Sequence, residues 1–175
     1  MSELKLVITG TAGVGKTTAI QSLSDRPPIA TESETTDELS EIKSTTTVAF
    51  DFGEIYLDDG NVVHVYGTPG QERFRHMWEI VAEGAIGFII LVDSSRDDPV
   101  ADLKMYIDNF KTFIDETSAV IGVTRINEFN GQCIEDLYCF LEKEALFYPI
   151  MAVDPRDKSD MSQLMLSLLA MLEYG

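Results

Sequence analysis

Residues 10–18 read GTAGVGKTT and directly follow the apolar run LKLVIT at residues 4–9. The stretch fits the pattern G-x-x-x-x-G-K-[ST] completely, with a strand pattern before it and a helix pattern after it, as a phosphate-binding loop requires. Backbone N–H groups around the glycines wrap phosphate oxygens, and the N-terminus of the following helix adds positive potential. The stretch therefore predicts a nucleotide site formed by Gly10, Thr11, Ala12, Gly13, Val14, Gly15, Lys16, Thr17 and Thr18.

Two side chains of this loop have distinct expected roles. Lys16 is expected to reach the β- and γ-phosphates, and the hydroxyl of Thr17 is expected to bind Mg²⁺. The competing interpretation is a degenerate loop that no longer binds nucleotide. The intact lysine and threonine argue against that interpretation.

Strand and helix patterns alternate along the rest of the chain. Apolar runs predict strands at 3–9, 85–93, 118–124 and 147–153. Helical patterns occupy 16–24, 98–116, 133–145 and 159–175. Two further strands, 47–57 and 61–67, flank the turn DDG at 58–60 and predict an antiparallel hairpin. This order predicts one α/β domain over residues 1–175, with a six-stranded, mostly parallel sheet and about five helices on both faces.

Composition excludes several classes of partner. The 175 residues include 30 acidic and 13 basic side chains, which gives a net charge of −17. Duplex nucleic acid and anionic membranes both need a basic face, so neither is expected to be a partner. The sequence shows no signal peptide, no transmembrane stretch and no lipidation motif, which predicts a cytoplasmic protein without a direct membrane anchor.

A second motif, YGTPGQERFRHMW at residues 66–78, resembles the second switch of the Ras-like small GTPases, whose hallmark is D-T-A-G-Q-E-R-F. The chain matches at Thr68 and at residues 70–74. It departs at Gly67, where the family has the aspartate that holds Mg²⁺ through water, and at Pro69. The TPGQ form, together with TVAFDFGEI at 47–55, is similar to the bacterial and archaeal branch that includes the gliding-motility GTPase MglA.

The resemblance implies a Mg²⁺-dependent molecular switch that binds and hydrolyses GTP. Gly70 would contact the γ-phosphate through its backbone N–H, and Gln71 would position the attacking water. Lys16 would stabilise the transferred phosphate in the same reaction. Segments of roughly 30–50 and 67–82 would be ordered by the γ-phosphate and released after hydrolysis.

The resemblance also suggests further ligands for the metal. Thr47 would bind Mg²⁺ through its hydroxyl, with Thr45 and Thr46 as adjacent alternatives, because its spacing to Asp51 matches the T-x-x-x-D-F of Rab proteins. Asp51 and Gly67 are equidistant from the centre of the DDG turn and are expected to face each other across the hairpin. Asp51 would then replace the missing carboxylate, whereas a register slip of one residue would turn it to solvent.

Base recognition is the part of the pattern that matches least. The family motif N/T-K-x-D stands here as Thr-Arg-Ile-Asn at 124–127, and Arg125 keeps a long stem that can stack on a base. An amide at Asn127 offers one acceptor oxygen where a carboxylate offers two, so guanine affinity should fall unless Glu128 helps. Backbone N–H groups within AVDPRD at 152–157 would contact the base oxygen. The expected base-binding residues are Thr124, Arg125, Asn127, Val153 and Asp154.

Two other functions compete with a GTPase. A small-molecule kinase would explain the phosphate loop but not the second motif, and kinases of this size carry an arginine-rich lid, whereas the six arginines here are scattered. A scaffold that binds nucleotide with little hydrolysis would fit Gly67 but not Gln71. Intrinsic hydrolysis is expected to be slow, with Arg73 and Arg75 as candidate internal arginine fingers.

A partner is expected beside the switches. Phe52 and Tyr66 face each other in the predicted hairpin, and Trp78 follows in the second motif. These rings are expected to form a surface for an activating or adaptor protein, or for a second copy of the chain. The alternative is that they belong to the core.

Overall fold

The computed structural model describes residues 3–26, 51–127 and 130–174. Within this part of the chain, six strands form one sheet in the order β2-β3-β1-β4-β5-β6. The strands are β1 (Glu3–Gly10), β2 (Asp51–Tyr56), β3 (Val62–Gly67), β4 (Gly87–Asp93), β5 (Ala119–Thr124) and β6 (Ile150–Ala152). All neighbouring pairs are parallel except β2 with β3, which confirms the predicted fold class.

Helices cover both faces of the sheet. They are α1 (Lys16–Leu23), α2 (His76–Ala82), α3 (Pro99–Glu116), α4 (Gln132–Lys143) and α5 (Lys158–Tyr174), with a 3₁₀ turn at Glu72–Phe74. One apolar cluster joins α1 and α5 to the sheet, and a second joins α2, α3 and α4 to the opposite face. No helix in the described ranges is long and apolar enough to cross a membrane.

The central strands explain why the sequence reads as continuous apolar runs. Every residue of β4 and of β5 is buried, as expected for strands that are covered on both faces. The predicted stripe on α3 is also buried, and this helix begins where the Asp98 side chain accepts the N–H of Ala101, with Pro99 in its first turn. Parallel strands end at one edge of the sheet, where α/β proteins bind ligands.

The hairpin has the predicted register. Asp51 pairs with Gly67 and Phe52 pairs with Tyr66. Gly60 has a φ of +84° in the turn, and the N–H of Leu57 donates to the carbonyl of Asn61 at 2.9 Å. The alternative with a one-residue slip is excluded.

Two elements differ from the prediction. Strand β6 covers only Ile150–Ala152 rather than 147–153, because Pro149 has no N–H to donate to the ladder and Phe147 is 85% exposed. Helix α2 was not located by its sequence pattern, since it has only seven residues and buries only Trp78, Val81 and Ala82.

Candidate functional site

The predicted phosphate loop connects the end of β1 to the start of α1. Gly15 caps the helix with a φ of +113°, and a Cβ at this position would lie 2.8 Å from Cγ of Pro155, so only glycine fits. The N–H of Ala19 donates to the carbonyl of Gly15 at 2.8 Å. The N–H groups that precede Ala19 at the helix start therefore remain for a ligand.

Lys16 is a buried cation inside this loop. The residue is 7% exposed, and its Nζ donates to the carbonyls of Gly10 at 2.7 Å and Thr11 at 2.9 Å. Burial lowers the pKa of Lys16 to about 8, and the negative charge of Asp51 opposes that shift. A buried ammonium held by carbonyls is costly, so an anion bound in the loop would offset its charge. The loop therefore fits a phosphate group.

The second motif packs directly against the loop. The hydroxyls of Thr68 and Thr9 are 2.7 Å apart, and the N–H of Thr68 donates to the carbonyl of Ile8 at 3.0 Å. A Cβ at Gly70 would lie 2.6 Å from Nζ of Lys16 and 2.7 Å from the backbone nitrogen of Ala12. Only glycine permits this approach, which brings the two motifs together at the position expected for a terminal phosphate.

The predicted catalytic glutamine lies next to this contact. Gln71 is exposed, and its carbonyl accepts the N–H of Phe74 at 3.0 Å as the 3₁₀ turn begins. Arg73 and Arg75 are also exposed, and their guanidinium groups lie over the rings of Phe74 at 4.7 Å and Trp78 at 5.7 Å. Neither arginine is positioned against the phosphate loop in this conformation.

Trp78 does not belong to an exposed patch, so that expectation is wrong. The residue is 1% exposed, and its ring stacks with those of Tyr106 at 5.0 Å and Phe110 at 5.6 Å. Its Nε1–H donates to the carbonyl of Pro69 at 2.8 Å. Trp78 therefore anchors the second motif in the core beneath α3.

The structure brings together two of the three predicted metal ligands. The hydroxyl of Thr17 donates to Oδ2 of Asp51 at 2.5 Å. The third, Thr47, lies outside the described residues, as do its alternatives Thr45 and Thr46.

A cleft of about 620 Å³ lies beside the loop, and Val14, Gly15 and Thr18 of the loop form part of its lining. Four of the residues expected to contact a base, Thr124, Arg125, Val153 and Asp154, line it. Asn127 is not among the lining residues, and Glu128 lies outside the described part of the chain.

Arg125 connects the cleft to the loop instead of stacking across the cleft. Its backbone has a φ of +59°, and its guanidinium pairs with Asp93 and donates to the carbonyl of Gly13 at 2.6 Å. Asn130, which no sequence motif had indicated, accepts the N–H of Asn127 at 2.7 Å and donates to the carbonyl of Arg125 at 3.0 Å. These hydrogen bonds fix the conformation of residues 125–127, which follow β5.

The N–H groups predicted to contact the base are already engaged, which corrects that expectation for this conformation. The N–H of Val153 donates to the carbonyl of Val123 at 2.9 Å, because it continues the ladder beyond β6. The N–H of Asp154 donates to the carboxylate of Asp160 at 2.9 Å. Hydrogen bonds from Arg156 lower the pKa of Asp154 to about 2, so its carboxylate is ionised.

Comparison with known proteins relates the chain to two groups. An uncharacterized protein of Methanocaldococcus jannaschii is 34% identical over 94 residues, which are 54% of this chain and 53% of that protein. Ras-related protein RABA1c of Arabidopsis thaliana is 26% identical over 149 residues, and Ras-related protein Rab11B of Nicotiana tabacum is 27% identical over 148. Each plant match covers 82% of this chain and 64% of the relative, so the chain spans half to two thirds of these relatives.

The family match covers more of the chain than the archaeal relative does. The family described as "Conserved hypothetical ATP binding protein" matches residues 25–174, which begin after the phosphate loop. Together with the Ras-related relatives and the loop geometry, this match supports nucleotide binding on a Ras-like phosphate-loop fold. The chain belongs to this family of conserved hypothetical ATP binding proteins.

Proposed function

We propose that this protein binds GTP with Mg²⁺ and hydrolyses it as a cytoplasmic molecular switch, in a branch of small GTPases similar to MglA. The observation that carries the proposal is the close approach of Gly70 to Lys16 and Ala12, which leaves no room for a Cβ at residue 70, because it joins the proposed phosphate loop to the motif that would respond to it. The Ras-related relatives and the family description support nucleotide binding in general.

The chemistry follows from the positions of these residues. Lys16 would turn from the carbonyls of Gly10 and Thr11 to the β- and γ-phosphates. The N–H of Gly70 would bind a γ-phosphate oxygen, and the exposed side chain of Gln71 would orient the attacking water. When bound, Mg²⁺ offsets negative charge on the phosphates, with Thr17 and Thr47 as protein ligands.

The proposed switch includes a fixed part and a responsive part. Thr68 is tied to β1, and Trp78 is held in the core by two stacked rings. Within the predicted segment 67–82, the stretch between these anchors would therefore reorder with the γ-phosphate. The predicted first segment, 30–50, lies outside the described residues.

ATP is the second candidate nucleotide. The family description names ATP, and the cleft lacks the carboxylate that the guanine motif places at the position of Asn127. Calorimetry with GDP, GTP, ADP and ATP decides between the two bases, and tighter binding of GTP and GDP is expected. Preference for ATP and ADP would overturn the assignment to guanine.

Phosphate release tests hydrolysis, with Gln71→Leu as the informative variant. Wild-type protein with GTP and Mg²⁺ is expected to release phosphate slowly without any acceptor. Gln71→Leu should bind GTP normally but release phosphate roughly 10²-fold more slowly, because leucine leaves the water unpositioned. Release that depends on an acceptor would identify a kinase, and binding without release would identify a nucleotide-dependent scaffold.

We further propose that an activating or adaptor protein binds the hairpin face beside the switch. The half-buried ring of Phe52 lies 5.0 Å from that of Tyr66 and 5.4 Å from that of His64. Nζ of Lys5 lies 5.1 Å from the centre of the Tyr66 ring. An aromatic cluster shared by the edge strand β2 and its neighbour β3, next to Asp51, would allow a partner to sense the nucleotide.

Phe52→Ala and Tyr66→Ala test this surface. Both variants are expected to lose an activating partner, identified by its acceleration of phosphate release. Phe52→Ala should keep the melting temperature of the wild type, whereas Tyr66→Ala should lower it modestly, because Tyr66 is partly buried against the core cluster of α2, α3 and α4. Tyr138→Phe, a mild change on α4, is the control. A large fall in melting temperature would show that the two rings are core, and loss of self-association instead would identify a second copy of the chain.

A further inference from the structure

Asp51 lies beside position 67, where the Ras-like motif has an aspartate and this chain has glycine. Gly67 is buried at the end of β3 and pairs with Asp51 of β2. A Cβ added at Gly67 would lie 3.2 Å from Cβ of Asp51 and 3.5 Å from its Oδ2. The carboxylate of Asp51 therefore lies close to where a side chain from residue 67 would begin.

This carboxylate also contacts the predicted metal-binding hydroxyl. Oδ2 of Asp51 and Oγ1 of Thr17 are 2.5 Å apart, and the negative charge of Asp51 acts on the buried ammonium of Lys16. Two oxygens on adjacent corners of an octahedral Mg²⁺ site are about 2.9 Å apart, since Mg²⁺–oxygen distances are about 2.0–2.1 Å. A small outward movement would thus let both oxygens serve one ion.

The donor set fits Mg²⁺ rather than a metal with a complete protein cage. Magnesium at phosphate sites uses one or two carboxylates or hydroxyls, and phosphate oxygens and water complete its shell. The described residues contain no group of three or more His, Cys, Asp or Glu side chains that could hold a metal by themselves. One carboxylate and one hydroxyl beside a phosphate loop match the magnesium sites in which phosphate and water complete the shell.

We infer that Asp51 supplies the carboxylate of the Mg²⁺ shell, from β2, in place of the aspartate that the Ras-like motif has on β3. The inference rests on the proposed nucleotide site. Residues opposite each other in an antiparallel pair project to the same face of the sheet. An aspartate at position 51 of β2 would therefore reach the same ion as an aspartate at position 67 of β3. The hydrogen bond between Thr17 and Asp51 places the two proposed ligand oxygens side by side.

Metal affinity is the direct test. Mn²⁺, as a paramagnetic substitute, is titrated into the wild-type complexes with GDP and with ADP, and binding is followed by electron paramagnetic resonance. Asp51→Ala and Asp51→Asn should weaken Mn²⁺ binding about 10- to 100-fold. Glu54→Ala is the matched control, because it removes one carboxylate from the opposite face of the same strand and should leave Mn²⁺ affinity unchanged.

Exchange of the pair separates metal binding from a structural role. The double variant Asp51→Gly with Gly67→Asp should recover most of the Mn²⁺ affinity, because glycine at position 51 removes the Cβ that lies 3.2 Å from a Cβ at residue 67. The end of the flexible Ile20 side chain, whose Cδ1 lies 3.0 Å from that Cβ, must shift by a few tenths of an ångström. Gly67→Asp alone should not strengthen binding, since both carboxylates then compete for one space. Thermal melting verifies that each variant is folded.

The outcomes distinguish this inference from the proposed function. Equal Mn²⁺ affinity in wild type, Asp51→Ala and Asp51→Asn would overturn the role of Asp51. No recovery in the exchanged pair would also count against it. Absence of phosphate release by the wild type would overturn GTP hydrolysis, while the Mn²⁺ titration of the GDP and ADP complexes would still report on Asp51.

Discussion

Lys16→Met is expected to lower the affinity for GTP and GDP by at least about 10²-fold, because it removes the buried cation that faces the phosphates. Methionine keeps the length of the stem and its packing, so the loop should keep its shape. The free protein should be no less stable than the wild type, since burial of an ammonium costs free energy when no anion is bound. Calorimetry and thermal melting of the same samples measure both effects.

Opposite effects on binding and stability make this test selective. A variant that lost binding because it unfolded would show a lower melting temperature. Lys5→Met is the control, because Lys5 is a half-exposed lysine on β1 outside the loop. Unchanged affinity of Lys16→Met for a triphosphate would contradict the assignment of the phosphate loop.

Trp78→Ala is expected to destabilise the protein by about 3–5 kcal/mol, the usual cost of removing a large aromatic side chain from a core. The side chain is 1% exposed, and its truncation also leaves the stacked rings of Tyr106 and Phe110 beside a cavity. The free energy of unfolding in urea measures this change. Ile80→Ala on the same helix should change stability by less than about 0.5 kcal/mol, because Ile80 is 63% exposed.

A second variant isolates the hydrogen bond from the packing. Trp78→Phe keeps an aromatic ring but cannot donate to the carbonyl of Pro69. It should be less destabilising than Trp78→Ala and should loosen the segment next to Gly70. A Trp78→Ala protein as stable as the wild type would contradict the burial of Trp78 and would favour the expectation that Trp78 belongs to an exposed partner surface.

Several features could be predicted from the sequence because they depend on residues close together in the chain. The glycines and Lys16 of residues 10–18 specify a loop between a strand and a helix by their own conformational preferences. The DDG turn sets the hairpin register, so Asp51 could be placed opposite Gly67 by counting residues. The continuous apolar runs at β4 and β5 identified the buried centre of the sheet.

Other features depend on which distant segments meet, and short patterns contain no such information. Trp78 reads as a surface residue of a polar segment, yet α3 supplies two rings that bury it. The N–H of Asp154 reads as available for a base, yet the first turn of α5 supplies the carboxylate that accepts it.

The sequence alone thus determined the order of the strands and of helices α1, α3, α4 and α5, the phosphate loop and the hairpin register, since each depends on local preferences and a nearby turn. Only the tertiary structure decided that Trp78 belongs to the core and that Arg125 links the cleft to the carbonyl of Gly13. It also decided that Thr17 and Asp51 share one hydrogen bond. Burial and hydrogen-bond partners are set by packing between elements that are far apart in the chain, and only the assembled sheet and helices specify that packing.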